Sequence, residues 1–270
     1  MSAIPRLYVE ADLVAGQSVA LDDEASRYLL RVLRLSAGDK VRVFNGRHGE
    51  WLCELASVER KSAELVPAEQ MRAQPEQAVP DLTLLFAPVK KTETDFIVEK
   101  ATELGVRTIQ PVITEFTQTR TVRLDRFRKI ALEAAEQTER LDLPEVSDLA
   151  PLEKALGALA VGTRVIFCDE AGDETDKPWG GEAGRAGPMA DVLGTLGDGP
   201  VAILIGPEGG FTADERAWLR ARENTHAVSL GPRILRAETQ DKGRRDHGVD
   251  DDEAAQKGRL PTRTRRAVTA

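Results

Sequence analysis

Two apolar runs that each break at a Gly-Pro step constrain this chain more than any other feature. Val201–Ile205 runs into Gly206-Pro207-Glu208-Gly209-Gly210, and residues 227–230 run into Gly231-Pro232-Arg233. Between them, Thr212 stands three residues before Glu215, the spacing of a helix-opening capping box. The order is strand, glycine turn, helix, strand, glycine turn. Glycines let a backbone approach a ligand closely, and a helix N-terminus offers N–H groups without intrahelical partners. The stretch therefore reads as half of an α/β ligand site. Two ordinary turns of an α/β sheet are the other reading, because Gly-Pro and Gly-Gly are common punctuation.

The residues upstream keep the same alternation. Residues 82–87 form a continuous apolar run, as strands buried on both faces do. A helix is expected from a cap at Thr92 to Leu104, with Phe96, Ile97, Ala101 and Leu104 facing inward and Gly105 ending it. A strand over 107–113 follows, then a long helix over 124–140 with Phe127, Ile130, Ala131, Ala134 and Ala135 at helical spacing. A shorter helix over 151–159 precedes a strand over 164–168 that ends at Asp169-Glu170. Residues 171–199 are rich in glycine and poor in core side chains, and read as a long loop. Alternating strands and helices imply a mainly parallel sheet covered on both faces.

Residues 1–73 follow a different pattern, that of a small β-rich domain with one helix. The helix is expected to open at Asp22 or Asp23 and run to about Leu35, burying Tyr28, Leu29, Val32, Leu33 and Leu35. Arg27, Arg31 and Arg34 then share another face, which can grip phosphate or simply meet solvent. Residues 40–45 and 50–58 alternate around Asn45-Gly46-Arg47-His48-Gly49, a hairpin turn, and a third strand is expected over 63–67. Residues 74–80 read as a linker and 81–239 as the α/β domain. Residues 240–270 are charged, lack aromatics and are expected to be disordered.

Charge and composition narrow the chemistry. Lys plus Arg number 37 against 45 Asp plus Glu, a net charge of −8, so a nucleic-acid partner has to be met by local basic patches. Aromatic residues are 4%, which disfavours a binding surface built mainly on base stacking. The opening MSAIPRLYVE lacks the apolar core of a secretory signal, and no apolar run approaches membrane-spanning length. A cytoplasmic protein with no membrane partner and with reduced Cys53 and Cys168 is expected. His48, His226 and His247 lack metal-ligand spacing, so no metal is expected. No Walker loop, Gly-x-Ser-x-Gly elbow or dinucleotide fingerprint is present. Glycine turns, arginines and acids remain, a set suited to holding a cofactor that brings its own chemistry.

The segments APVKKTETDFIVEKATELGV, AAEQTER, ILIGPEGGF and LGPRILRAET resemble, in order and spacing, the RsmE family of SPOUT-class methyltransferases. RVLRL, residues 31–35, is similar to that family's PUA-like RNA-binding domain. The resemblance covers about residues 4–239. It implies an α/β SPOUT-type trefoil-knotted domain behind a small β-rich PUA-like domain, acting as a homodimer. It further implies methylation of N3 of a uridine in 16S rRNA of the small ribosomal subunit, with S-adenosyl-L-methionine as cofactor. Carried over by position, Gly206, Glu208, Gly209 and Gly210 form one wall of the cofactor site, and Leu230, Gly231, Ile234 and Leu235 the adenine side. Arg236 is the leading candidate for orienting and stabilising the uracil, with Glu238 or Glu208 accepting its proton. Arg6, Arg27, Arg31 and Arg34, with Lys90, Lys91 and Arg120, are the expected RNA contacts.

The chain leaves its family's pattern after Thr239. Relatives continue with an alanine- and leucine-rich helix, whereas here the next residues are QDKGRRDHGVDDDEAAQKGRLPTRTRRAVTA. An out-of-frame reading produces such a switch, and a natural divergent tail or a sequencing error would look the same. The second expectation is therefore a catalytically impaired RNA-binding remnant that lacks the knot-closing helix.

Overall fold

Alternating apolar residues build the first sheet in the computed structural model, which describes residues 4–58, 62–75, 81–174, 176–177, 180–195 and 197–230. Strand β1 (Arg6–Tyr8) and β2 (Val19–Ala20) precede helix α1 (Asp23–Arg27); β3 (Lys40–Phe44), β4 (Glu50–Val58) and β5 (Ala63–Arg72) follow. The sheet order is β1-β3-β4-β5-β2, with β1 parallel to β3 and the other pairs antiparallel. The expected hairpin joins β3 and β4. β5 runs five residues beyond the expected end at Pro67, its outer half pairing with Glu50, Trp51 and Leu52. Leu29, Val41, Cys53, Leu55 and Leu65 fill the core. Burial pushes the Cys53 thiol up to about 12, so it stays protonated and inert.

The helix in this domain differs from expectation. Asp22 caps α1, accepting from the Ala25 N–H at 2.7 Å, but α-helix gives way at once to a π-helical turn, Tyr28–Val32. The Leu33 N–H reaches back to Tyr28 O, and Arg34 sits in the left-handed region at φ 59°. A wider turn changes the angular spacing on which the expected apolar face rested. Leu29 is fully buried, while Tyr28 and Val32 are 40% and 64% exposed.

The second domain begins with β6 (Leu82–Phe86), α2 (Lys91–Glu103), β7 (Thr108–Ile113) and α3 (Leu124–Gln137). Short β8 (Glu145–Val146) and β9 (Ala150–Pro151) lead to α4 (Leu152–Gly157) and β10 (Arg164–Cys168). Then come α5 (Met189–Leu193), β11 (Val201–Ile205), α6 (Ala213–Arg220) and β12 (Thr225–Val228). The order β12-β10-β11-β6-β7-β8 is parallel throughout, and β9 pairs with β7. Leu85, Phe86, Ile109, Ile166, Phe167 and Leu204 are buried between the helices on its two faces. In α2 the inward residues are Thr94, Ile97, Val98, Ala101 and Thr102; Phe96 and Leu104 are exposed, contrary to expectation. Thr94 sets the entry of this helix, accepting from Val89 N–H and donating to Val89 O, so the buried stripe is the one that includes Thr94.

The two domains are joined through the end of α3. Arg6 donates to the carbonyls of Ala135 and Arg140 at 2.7 and 2.6 Å, and its Nε pairs with Glu50 at 2.5 Å. Arg42 and Arg72 grip Glu139 just beyond the helix. Cations belong at a helix C-terminus, where carbonyls lack intrahelical donors.

Candidate active site

Strands β10, β11 and β12 are parallel and adjacent, so their exits gather at one edge of the sheet. In open α/β sheets ligands bind outside the carboxyl ends of the strands. The three exits here are Asp169-Glu170, Gly206 to Gly210, and Ser229-Leu230. β6 leaves beside them, its Ala87 N–H donating to Ile205 O at 3.0 Å, and leads to Lys90 and Lys91.

Packing explains why the second exit is glycine-rich. A Cβ on Gly206 would lie 3.0 Å from the Phe211 ring. Phe211 is itself buried edge-on against Phe167, with ring centroids 6.0 Å apart. Gly210 has φ 68° and closes the turn through its N–H to Pro207 O at 2.8 Å. At Gly206 the turn thus presents backbone where a side chain would press on the Phe211 ring. Helix α6 starts with the expected capping box: Thr212 Oγ1 accepts from Glu215 N–H, and Glu215 Oε2 accepts from Thr212 N–H. Glu215 Oε1 also accepts from Glu115 N–H, which ties α6 to the segment after β7.

The first exit carries buried acids to which the sequence reading gave no role. Asp169, 1% exposed, accepts from Arg216 Nε through both oxygens at 2.9 Å and from Arg220 Nη2 at 2.9 Å. Arg216 is buried too and donates to the carbonyls of Ala171 and Gly172. Glu170 accepts from Leu230 N–H at 2.9 Å and from Ser229 Oγ at 3.2 Å. The available signal was two acids directly after the apolar run 164–168, a place where a charge is kept only with partners.

The expected site residues fall into three groups. Gly206, Glu208, Gly209 and Gly210 share the single turn after β11, with Glu208 exposed, and Leu230 lies at the exit of β12. Gly231, Ile234, Leu235, Arg236 and Glu238 lie outside the described residues, as do residues 240–270. Of the expected RNA contacts, Arg27, Arg31, Arg34, Lys90, Lys91 and Arg120 are exposed. Arg6 is not available to RNA. Its side chain is 4% exposed, lies over the Phe44 ring at 3.8 Å, and spends its donors on Glu50 and the end of α3. Burial lowers its pKa, against the opposing pull of Glu50. Among the described residues no cluster of His, Cys, Asp and Glu has the makings of a metal site, and no helix is long and apolar enough to cross a membrane.

Comparison with known proteins agrees with this geometry. Residues 75–240 match the RNA methyltransferase domain family, and residues 21–68 match the RNA methyltransferase PUA domain. Ribosomal RNA small subunit methyltransferase E of Rickettsia conorii is 31% identical over 87% of this chain and 90% of its own length. Its Synechocystis namesake is 34% identical, over 87% of this chain and 73% of its own length. Among solved structures, the Neisseria gonorrhoeae enzyme of that name, bound to S-adenosyl methionine, is similar with a TM-score of 0.75. It is 30% identical, over 88% of this chain and 93% of its own.

Proposed function

The chain belongs to the RsmE family of ribosomal RNA small subunit methyltransferases, and on that premise we propose that it methylates N3 of a uridine in 16S rRNA, using S-adenosylmethionine. In this reading it works in the cytoplasm as a homodimer with a trefoil-knotted catalytic domain. The observation that carries the reading is that the glycine turn after β11 and Leu230 after β12 leave the sheet at the same edge, either side of the β10 exit. The Neisseria relative is bound to S-adenosyl methionine, and in this chain a side chain at Gly206 would press on the Phe211 ring, which favours bare backbone there.

S-adenosylmethionine supplies an electrophilic methyl group. The chain's own task is to hold it and to make a nitrogen nucleophilic. Gly206, Glu208, Gly209 and Gly210 form one wall of the cleft; Leu230, Gly231, Ile234 and Leu235 form the adenine side. Much of that binding comes from backbone groups, which suits a motif of glycines and aliphatics. Uracil N3 carries a proton, and a neutral imide nitrogen is a poor nucleophile. Arg236 orients the uracil and stabilises the imide anion, while Glu238, or Glu208 in its place, accepts the proton. Arg27, Arg31, Arg34, Lys90, Lys91 and Arg120 hold the RNA backbone.

The test is methyl transfer from labelled S-adenosylmethionine to small subunits isolated from cells that lack the modification. Mass spectrometry of the digested 16S rRNA should find one new methyl group, on N3 of a uridine. Methylation of another atom, or no incorporation, overturns the reading. One observation favours a second function, that of an RNA-binding remnant: the family match ends at residue 240, where the charged tail begins. A remnant binds rRNA but not S-adenosylmethionine, so cofactor titration separates the two.

A further inference from the structure

In the proposed function the exits of β11 and β12 form two walls of the cofactor cleft. Strand β10 lies between β11 and β12, and its exit ends in Glu170. This carboxylate is 6% exposed and reaches across to residues 59 and 60 positions away, Ser229 and Leu230. The reason lies in the ladder. The last β10–β12 backbone bond is Asp169 N–H to Val228 O at 2.9 Å. Beyond it the Leu230 N–H has no strand to pair with, and Glu170 Oε1 takes it at 2.9 Å. Glu170 Oε2 takes the Ser229 hydroxyl at 3.2 Å. The Ser229 backbone is fixed from its other side, with N–H to Gly187 O at 2.7 Å and O from Met189 N–H at 2.9 Å. So the point where the chain leaves β12 is set by a buried acid at the exit of a different strand.

We propose that Glu170 is a positioning residue of the S-adenosylmethionine cleft, its carboxylate fixing the backbone of Ser229 and Leu230 from which the adenine-side wall departs. The proposal rests on the function argued above. It places Glu170 outside the chemistry: losing it displaces a binding wall and leaves the transfer step as it was.

Three variants of the full chain test it, Glu170→Ala, Glu170→Asp and Glu170→Gln, titrated calorimetrically with S-adenosylmethionine and followed by thermal denaturation. Alanine removes the acceptor and aspartate withdraws it by one methylene. Glutamine keeps an oxygen for Leu230 N–H and offers an N–H to Ser229 Oγ. Alanine and aspartate should weaken binding by about tenfold or more, the usual scale for a lost bond to a charged group. They should raise the KM for S-adenosylmethionine while kcat at saturation stays within about twofold, the signature of lost uniform binding. Glutamine should restore affinity to within about threefold of the parent. Parent-like affinity in the alanine variant overturns the proposal. So does a glutamine variant as weak as alanine, because the charge itself would then be touching the ligand. If the alanine variant does not fold, the aspartate and glutamine variants decide: aspartate weak and glutamine strong supports the proposal, and equality or the reverse order overturns it. A parent chain that binds no S-adenosylmethionine overturns the proposed function and this inference with it, a failure visible before any variant is made.

Discussion

Asp169 is the residue on which the β10 exit depends. Arg216 is nearly buried and directs its Nε at both Asp169 oxygens. Asp173 also pairs with Arg216 at 2.9 Å and with Arg220 at 3.1 Å, so both cations keep a carboxylate when Asp169 is lost. Asp169→Ala should therefore cost about 1.5–3 kcal/mol in urea unfolding, the scale of lost hydrogen bonds to a charged group, whereas a loss below about 1 kcal/mol would class the pair with ordinary surface bridges. A second residue prediction concerns catalysis. Arg236→Ala should abolish methyl transfer while leaving S-adenosylmethionine affinity nearly intact, since its proposed contact is with the uracil. Calorimetry paired with a turnover assay checks this, and surviving turnover removes Arg236 from the mechanism.

At the level of elements, the end of α3 gathers acids that respond to pH with opposite signs. Burial pushes the Glu50 carboxyl up, but the bonds and charges of Arg6 and Arg72 outweigh it and leave it below the usual range. Glu139 is also held low, first by its hydrogen bond from Arg42. Their stabilisation is present above the ordinary carboxylate pKa, about 4.3, and is lost as pH falls through their depressed values. Glu136 goes the other way: burial raises its pKa, against the Tyr8 N–H and Arg6. Its contribution is full below the unfolded value and is lost as pH rises through the folded one. Glu136→Gln keeps an acceptor for Tyr8 N–H and should be more stable than the parent at pH 7, an advantage that vanishes below about pH 4. Urea titrations at the two pH values check it, and a parent-like variant at both would remove the raised carboxyl from the account. None of this was legible beforehand, because the Arg6 partners in and just beyond α3 lie 129 to 134 positions away and no local pattern carries such pairings. The parallel strands were legible, since burial on both faces makes them continuous apolar runs. The capping box of α6 was legible because it is local. The π-helical turn was not, because Tyr28-Leu29-Leu30-Arg31-Val32 satisfies an α-helical pattern just as well.

For the whole molecule, a chain of net charge −8 has to bind rRNA through places where the acids are absent or turned away. Residues 25–38 contain no acid, and within them Arg27, Arg31 and Arg34 are exposed, together with Tyr28 and Val32. The arginine grip on α3 and the Lys129–Glu24 bridge at 2.6 Å tie this turn to the catalytic domain. Under the proposed function, a phosphate bound there would sit at a set distance from the sheet edge, and the first domain would act as a ruler for which uridine reaches the cleft. Reversing charge at both Arg31 and Arg34 should weaken 16S rRNA binding and flatten its dependence on salt. If both contact phosphate, the slope of log K against log salt should fall in magnitude by about 1.4, at the single-strand value per contact. Affinity for S-adenosylmethionine should not move, since that cleft is built by the other domain. Filter binding across a salt series, with cofactor calorimetry alongside, separates the possibilities. An unchanged slope takes the arginine turn out of the RNA interface, and a fall in cofactor affinity would mean that the two domains are coupled through more than a fixed distance.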